Sequence, residues 1–218
     1  RTTSRSRLEL NTRSMRKMPW YRSSVVRFRM GNGRLLSGKI PYSTKENETI
    51  TAIEAKGGKM NPLSIYIHIP FCQSKCIYCD FNTYAGLNHL IPNYLESVKK
   101  DIFLWGNFLS HPPVNSIFFG GGTPSLLSSE QLNLILRSVR DSFDCSKPVE
   151  ITTEINPDDV TAIRIEGFLE SGVNRLSIGF QSLDHGLLQL LSRRHGVNEA
   201  IQAMQVARAV GVKNINLD

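Results

Sequence analysis

The chain has 218 residues, 40% of them hydrophobic, enough apolar material for one folded domain with an appendage. Its net charge of +7 is unevenly spread: residues 1–40 carry eleven Lys/Arg against a single acid, Glu9, which leaves residues 41–218 at −3. A nucleic-acid-binding domain carries its basic residues on the folded part, and no run approaches the roughly 18 apolar residues that span a bilayer, so neither nucleic acid nor a membrane span is expected.

The first segment, "RTTSRSRLELNTRSMRKMPWYRSSVVRFRM", is rich in Arg and Ser, nearly free of acids and weakly periodic. That is the composition of an organelle-targeting presequence, for a mitochondrion or a chloroplast. A plain basic arm is the alternative, and it would leave the protein in the cytoplasm. No apolar stretch follows the charges, so a secretory signal is not expected. Residues 31–62, with "GNGRLLSG" and "KGGKMNP", read as a linker or the rest of the presequence. The expected organisation is therefore a disordered basic extension over 1–62 and a core domain over 63–218, with regular structure from about Ser64.

From there strands and helices alternate. "LSIYIHI" (63–69) predicts a strand, and residues 91–109 a helix. "VNSIFFGGG" (114–122) predicts a strand that stops at glycines, followed by a helix at about 128–142. "VEITTEI" (149–155) and "VNRLSIGF" (173–180) are strands around a helix at about 158–171. Helical segments fill about 184–210, and "VKNINLD" (212–218) opens a fifth strand. Ser128 or Ser129, and the run Asn156-Pro157-Asp158-Asp159, are helix-start signals; Gly172 and Gly211 sit where helices should stop. Strand–helix–strand repetition at short intervals implies parallel strands with right-handed crossovers, in an open α/β sheet or a barrel.

Polar groups collect at the C-terminal end of each strand: a cysteine loop, then "GGGTPS", "EINP", "GFQS" and Asp218. In parallel α/β architectures ligands bind at that edge. The loop "HIPFCQSKCIYCDF" holds Cys72, Cys76 and Cys79 in a Cys-x3-Cys-x2-Cys spacing that is too clustered for a disulfide framework. Structural zinc takes four protein ligands, commonly as paired knuckles. Here one knuckle stands alone, and neither His68, His89 nor Cys145 has the spacing of a second. Thiolates also suit iron–sulfur clusters, and a cubane held by three of them keeps one iron open to a small molecule. Cys145 reads as an inert, half-buried thiol.

Taken together, "YIHIPFCQSKCIYCDFNTYA", "FFGGGTPSLL", "EINP", "SIGFQSLD" and "INLD" resemble, in this order, the radical S-adenosylmethionine (SAM) superfamily. Within it they resemble the branch of the oxygen-independent coproporphyrinogen III oxidases and the haem chaperones. The resemblance covers about Ser64 to Asp218. It implies a partial (β/α)6 barrel, broken off after about its fifth strand. It also implies a [4Fe–4S] cluster on Cys72, Cys76 and Cys79, with SAM chelating the fourth iron. Tyr66 and Tyr78 would then lie beside the cofactor, and Gly121, Gly122 and Thr123 would approach it with backbone. Glu154 and Gln181 would hydrogen-bond its amino and ribose groups, Arg193 would face its carboxylate, and Asp218 would take ribose hydroxyls. The implied chemistry is one-electron cleavage of SAM with cofactors held away from oxygen and water.

One departure matters. The coproporphyrinogen oxidases continue the motif with another cysteine two positions after the third, where this chain has Phe81. "CDFN" instead resembles the haem chaperone group, whose haem-binding motif lies in a C-terminal region beyond Asp218. The resemblance thus implies SAM, a haem or other tetrapyrrole, an electron donor and a haem-acceptor protein as partners. A porphyrinogen oxidase and a structural metal-binding domain without radical chemistry are the competing readings.

Overall fold

The computed structural model describes residues 26–30, 35–36 and 61–218. "LSIYIHI" forms β3 (Leu63–Ile69), whose odd-numbered residues are buried while Ser64, Tyr66 and His68 are half-buried. This period-2 pattern sets two faces: Ile65, Ile67 and Ile69 point to the helices, and Tyr66 and His68 point away from them. β3 pairs in parallel with β6 (Val114–Gly121), which pairs with β7 (Glu150–Ile155), then β8 (Arg175–Ile178), then β9 (Asn214–Leu217). Because the strand order advances in one direction and crossovers are right-handed, the helices fall on one side of the sheet. They are α1 (Ile91–Phe108), α2 (Ser129–Ser142), α3 (Ala162–Ser171), α4 (His185–Leu190) and α5 (Val197–Val210). α1 packs on α2, α2 on α3, and α3 on α5. The core between helices and sheet joins Val98, Ile102, Ile135, Val139 and Phe168 to the outward strand residues. The helix-free side is the inner face of a partial barrel, as expected.

Local signals explain the boundaries. Ser128 caps α2 by accepting from the Gln131 N–H, and the Gln131 side chain accepts from the Ser128 N–H, a reciprocal capping box. Gly172 and Gly211 end α3 and α5 at φ 105° and 107°, the left-handed conformation that glycine adopts without strain. The Asn156 signal works differently from the expectation. Pro157–Asp159 forms a single 3-10 turn, and α3 starts only at Thr161, whose side chain accepts from the Arg164 N–H. Pro157 and the two acids suit a first turn, but the backbone becomes extended at Val160 before the helix resumes.

A second difference lies in the basic segment. Regular structure does not wait for Ser64: β1 (Val26–Arg29) pairs antiparallel with β3 and with β2 (Leu35–Leu36). Val26 and Phe28 are fully buried. The Phe28 ring lies 5.2 Å from Trp105 of α1 and 5.5 Å from Phe143 at the end of α2. Among the described residues the sheet is therefore seven-stranded, in the order β2-β1-β3-β6-β7-β8-β9, with β1 covering the β3 edge. The rest of the presequence reading falls outside the described residues. Among those residues no helix is long and apolar enough to cross a membrane.

Candidate functional site

The cysteine loop is closed at its base by a second, two-stranded sheet. β4 (Phe71–Cys72) pairs in parallel with β5 (Tyr84–Ala85), and the Tyr84 N–H donates to the Pro70 carbonyl at 2.7 Å. Everything from Gln73 to Thr83 is thereby forced into one excursion above the sheet. Cys72 is buried at its root, and Cys76 and Cys79 are half-buried within it. Burial raises the Cys72 thiol pKa, against a Thr123 hydroxyl that donates to its Sγ at 3.6 Å.

The glycines after β6 hold this loop down. The Gly122 and Thr123 N–H groups donate to the Ile69 and Phe71 carbonyls, both at 2.8 Å. A Cβ on Gly122 would lie 2.6 Å from the Phe71 oxygen and 3.0 Å from Cys72 Sγ, so only glycine permits the approach. Gly121 adopts φ 115°, and its N–H donates to Glu154 Oε2 at 3.0 Å. All three N–H groups expected to approach a cofactor are thus engaged by the protein itself, because the loop needs a backbone seat before it can present thiols.

The remaining strand ends converge on the same place. Glu154 ends the inward row of β7, and burial raises its pKa, opposed by the Gly121 N–H and reinforced by Asp218. Gln181 follows β8 at φ 65°, a left-handed conformation that a side chain disfavours, and its N–H donates to the Asp218 carbonyl at 2.6 Å. The Asp218 carboxylate accepts from Ser177 Oγ at 2.6 Å. Arg193, just past α4, reaches back across the site. Its Nη2 donates to Asn156 Oδ1 at 2.9 Å and to the Gly179 carbonyl at 2.8 Å, while Nη1 faces Cys76 Sγ at 3.6 Å and the Tyr78 hydroxyl at 3.4 Å. Its Nε is buried without a partner among the described residues. Both terminal nitrogens of the arginine expected to face a carboxylate are therefore held by the protein, and Nε is the donor left over.

A cavity of about 480 Å3 joins these groups. It is lined by Cys72, Cys76, Cys79, Tyr78, Gly121, Gly122, Thr123, Glu154, Gln181, Arg193 and Asp218. Of the residues expected at the site, Tyr66 alone is not part of its wall. Tyr66 sits one layer beneath, where its ring approaches Gly120 beside the Glu154 carboxyl. Its hydroxyl pairs with His68 Nδ1 at 2.9 Å, and burial and Glu154 push its pKa up to about 12. His68 packs against Gly121 and bonds the Asn82 carbonyl through Nε2, a structural role. His195 does likewise with the Phe180 carbonyl.

Several groups at the site were not singled out from sequence. Asn156 bridges Arg193 and Thr123. Ser177 and Asn216 form a polar strip with Asp218. Their signal was period two: Ser177 follows Arg175, and Asn216 precedes Asp218, by one inward step each. Arg194 pairs with Asp158 at 3.1 Å and Asp159 at 3.4 Å and bonds Gln73, which fastens the loop from the far side.

The donor chemistry fits an iron–sulfur cluster. Among the described residues no three His, Cys, Asp or Glu side chains gather closely enough to hold one metal ion. The three thiols instead border a cavity, and a cubane is gripped at its corners whereas a tetrahedral ion needs its ligands around a point. The unpartnered Arg193 Nε beside that cavity fits an anionic group.

Known proteins place this architecture. The radical SAM superfamily model matches residues 66–218. The chain is 39% identical over 165 residues to the heme chaperone HemW of Haemophilus influenzae and 42% identical over 162 residues to that of Escherichia coli, in each case covering 73% of this chain and 43% of the relative. It is 34% identical over 155 residues to the mitochondrial radical S-adenosyl methionine domain-containing protein 1 of Danio rerio, covering 71% of this chain and 35% of that protein. The chain thus spans less than half the length of these relatives. Among solved structures, the coproporphyrinogen III oxidase HemN of Escherichia coli, described as a radical SAM enzyme, superposes with a TM-score of 0.64 at 26% identity, over 70% of this chain and 36% of that one. With three thiols, a glycine-seated loop and five converging strand ends on a partial barrel, and with relatives of this closeness, the chain belongs to the radical SAM superfamily, near its HemW heme chaperones.

Proposed function

We propose that this chain is the cluster- and SAM-binding domain of a haem chaperone of the HemW type. The observation that carries the reading is the shared cavity, where Cys72, Cys76 and Cys79 face Glu154, Gln181, Arg193 and Asp218. The three cysteines would hold a [4Fe–4S] cluster. Arg193 Nε would meet the SAM carboxylate, Glu154 its amino group, and Gln181 and Asp218 its ribose. When bound, cluster and SAM supply one-electron cleavage of a carbon–sulfur bond.

The protein's own part is holding and shielding. Arg193 ties the cysteine loop to the ends of β7 and β8, which fixes where the thiols stand relative to the SAM contacts. Phe81, largely exposed on that loop, also lines the cavity and would offer apolar cover beside the bound cofactor.

Phe81 favours a carrier over a porphyrinogen oxidase, since an oxidase motif would place a fourth cysteine there. Haem or another tetrapyrrole, an electron donor and a haem-acceptor protein are the partners of this reading. The Arg/Ser-rich N-terminus, with a relative whose name places it in mitochondria, supports an organellar location.

The test uses the full-length protein, reconstituted anaerobically with iron and sulfide and given SAM, a reductant and coproporphyrinogen III. A HemW-type protein shows iron–sulfur absorbance that is lost on Cys76→Ser, binds haem and leaves the porphyrinogen carboxylates intact. Loss of porphyrinogen carboxylate makes it an oxidase and overturns the carrier reading.

A further inference from the structure

A chain of hydrogen bonds runs from Arg193 to the buried sulfur of Cys72. Arg193 Nη2 donates to Asn156 Oδ1 at 2.9 Å, and Asn156 Nδ2 donates to Thr123 Oγ1 at 3.4 Å. Thr123 Oγ1 in turn donates to Cys72 Sγ at 3.6 Å, and Thr123 is buried. Each link can run in one direction only. Guanidinium donates and never accepts, so the amide oxygen must face Arg193 and the amide nitrogen must face Thr123. A hydroxyl that accepts from an amide keeps its own proton free, and the neighbour left to receive it is sulfur. Arg193 Nη1 meanwhile stands 3.6 Å from Cys76 Sγ. One fixed cation thus polarises donors towards two of the three thiols.

Thr83 brings a second hydroxyl to the same sulfur. It is 6% exposed and lines the cavity, and its Oγ1 has no hydrogen-bond partner among the described residues. The pairing of β4 with β5 sets Thr83 beside Cys72, near enough for its hydroxyl to favour the thiolate although no regular hydrogen bond forms. A buried hydroxyl without a partner is destabilising, and a charged thiolate is the acceptor that would repay it. Neither hydroxyl is needed to seat the loop. That is done by the Gly122 and Thr123 N–H groups on the Ile69 and Phe71 carbonyls.

Hydrogen bonds to the sulfurs of a cluster favour its more negative, reduced state and so raise its reduction potential. Resting on the cluster reading above, we propose that the Thr123 and Thr83 hydroxyls donate to the Cys72 thiolate, with Asn156 orienting Thr123, and thereby set the potential at which the cluster accepts an electron. Both threonines act through Cys72, and Arg193 feeds the relay from its far end.

The test is a redox titration of the full-length protein, reconstituted anaerobically with iron and sulfide. Dithionite supplies one electron per cluster, taking it from the 2+ to the 1+ state, and electron paramagnetic resonance follows the reduced form. Valine keeps the shape of threonine without its donor. Thr123→Val and Thr83→Val should each make reduction about tenfold less favourable, a fall of about 59 mV in midpoint for a one-electron couple. Thr123→Ser and Thr83→Ser should recover most of that fall, which a purely structural role would not predict. In wild type the iron–sulfur stretching bands should shift on exchange into D2O, because hydroxyl protons exchange. Wild-type midpoints in both valine variants with the cluster intact, serine variants no closer to wild type than valine, or wild-type bands unmoved in D2O each overturn the inference alone. Absence of iron–sulfur absorbance from reconstituted wild type overturns the cluster reading with it.

Discussion

Arg193 Nη1 lies 3.6 Å from Cys76 Sγ across 117 residues of chain, and its Nη2 lies 2.9 Å from Asn156 Oδ1. One guanidinium therefore joins the cysteine loop, the turn after β7 and the end of β8. Lysine keeps the charge but has neither the planar fork nor its fixed donor geometry. Arg193→Lys should release Cys76 and Asn156 from each other and remove the Nε donor from the cavity. Loss of charge-assisted hydrogen bonds of about 1.5–3 kcal/mol corresponds to roughly a 10- to 100-fold loss of SAM affinity. Calorimetric titration of SAM into the reconstituted protein checks this, and affinity unchanged in the variant would remove Arg193 from the binding set.

Phe28 is the anchor of β1. It is fully buried between Trp105 and Phe143, so Phe28→Ala should destabilise the domain by about 3–5 kcal/mol. The exposed neighbour Arg29 should tolerate Gln within about 0.5 kcal/mol. Urea unfolding of both variants checks the contrast. The same packing bears on processing: if the N-terminus is removed on import, cleavage must fall before Val26, because a cut beyond it would uncover the β3 edge. N-terminal sequencing of the mature protein reads this directly.

Much of this was legible because periodicity and punctuation act locally. "LSIYIHI" matches β3 residue for residue, and Gly172 and Gly211 stop helices where they stand. The cysteine loop was legible for a different reason, since its chemistry lies in residue type and spacing. β1 was not legible. Only Val26 and Phe28 mark its buried face, and the surrounding arginines give the segment the composition of a tail. What turns it into a strand is the open edge of β3 and the aromatic pair Trp105 and Phe143, which lie far away in sequence. The Gly121–Gly122–Thr123 backbone was read as a cofactor contact, and it lines the cavity. Its N–H groups, however, serve Glu154, Ile69 and Phe71, a tertiary pairing that spacing alone cannot specify.

Glu154 should make stability depend on pH in an unusual direction for a carboxylate. Burial raises its pKa above the ordinary value of 4.5, so the folded state holds this proton at a pH where the unfolded chain has released it. Its contribution is most favourable below 4.5 and is lost as pH rises through the raised folded value. Glu154→Gln can still accept from the Gly121 N–H but cannot ionise. Relative to the Gln variant, wild type should therefore gain stability as pH falls from neutrality towards 4.5. Denaturant unfolding of the two proteins at matched pH values checks this; a difference that stays flat, or grows the other way, would mean that Glu154 is ionised without penalty.

Gln181 offers a case in which stability and binding should part. Its φ of 65° is strained for a residue with a Cβ, and its N–H donates to the Asp218 carbonyl at 2.6 Å, which holds it there. The left-handed conformation costs a non-glycine residue about 1–2 kcal/mol. Glycine removes that strain but gives back roughly 0.4–1 kcal/mol through the freer unfolded chain. Gln181→Gly should therefore raise stability by roughly 0.5–1 kcal/mol, since the backbone donor to Asp218 survives. The same change deletes the side-chain amide from the cavity wall, so SAM affinity should fall in the variant that is harder to unfold. Strain that persists at a site only because a ligand uses it has this signature. If Gln181→Gly binds SAM as wild type does, the conformation serves only the junction of β8 with β9, and the ribose contact must come from Asp218 and its neighbours.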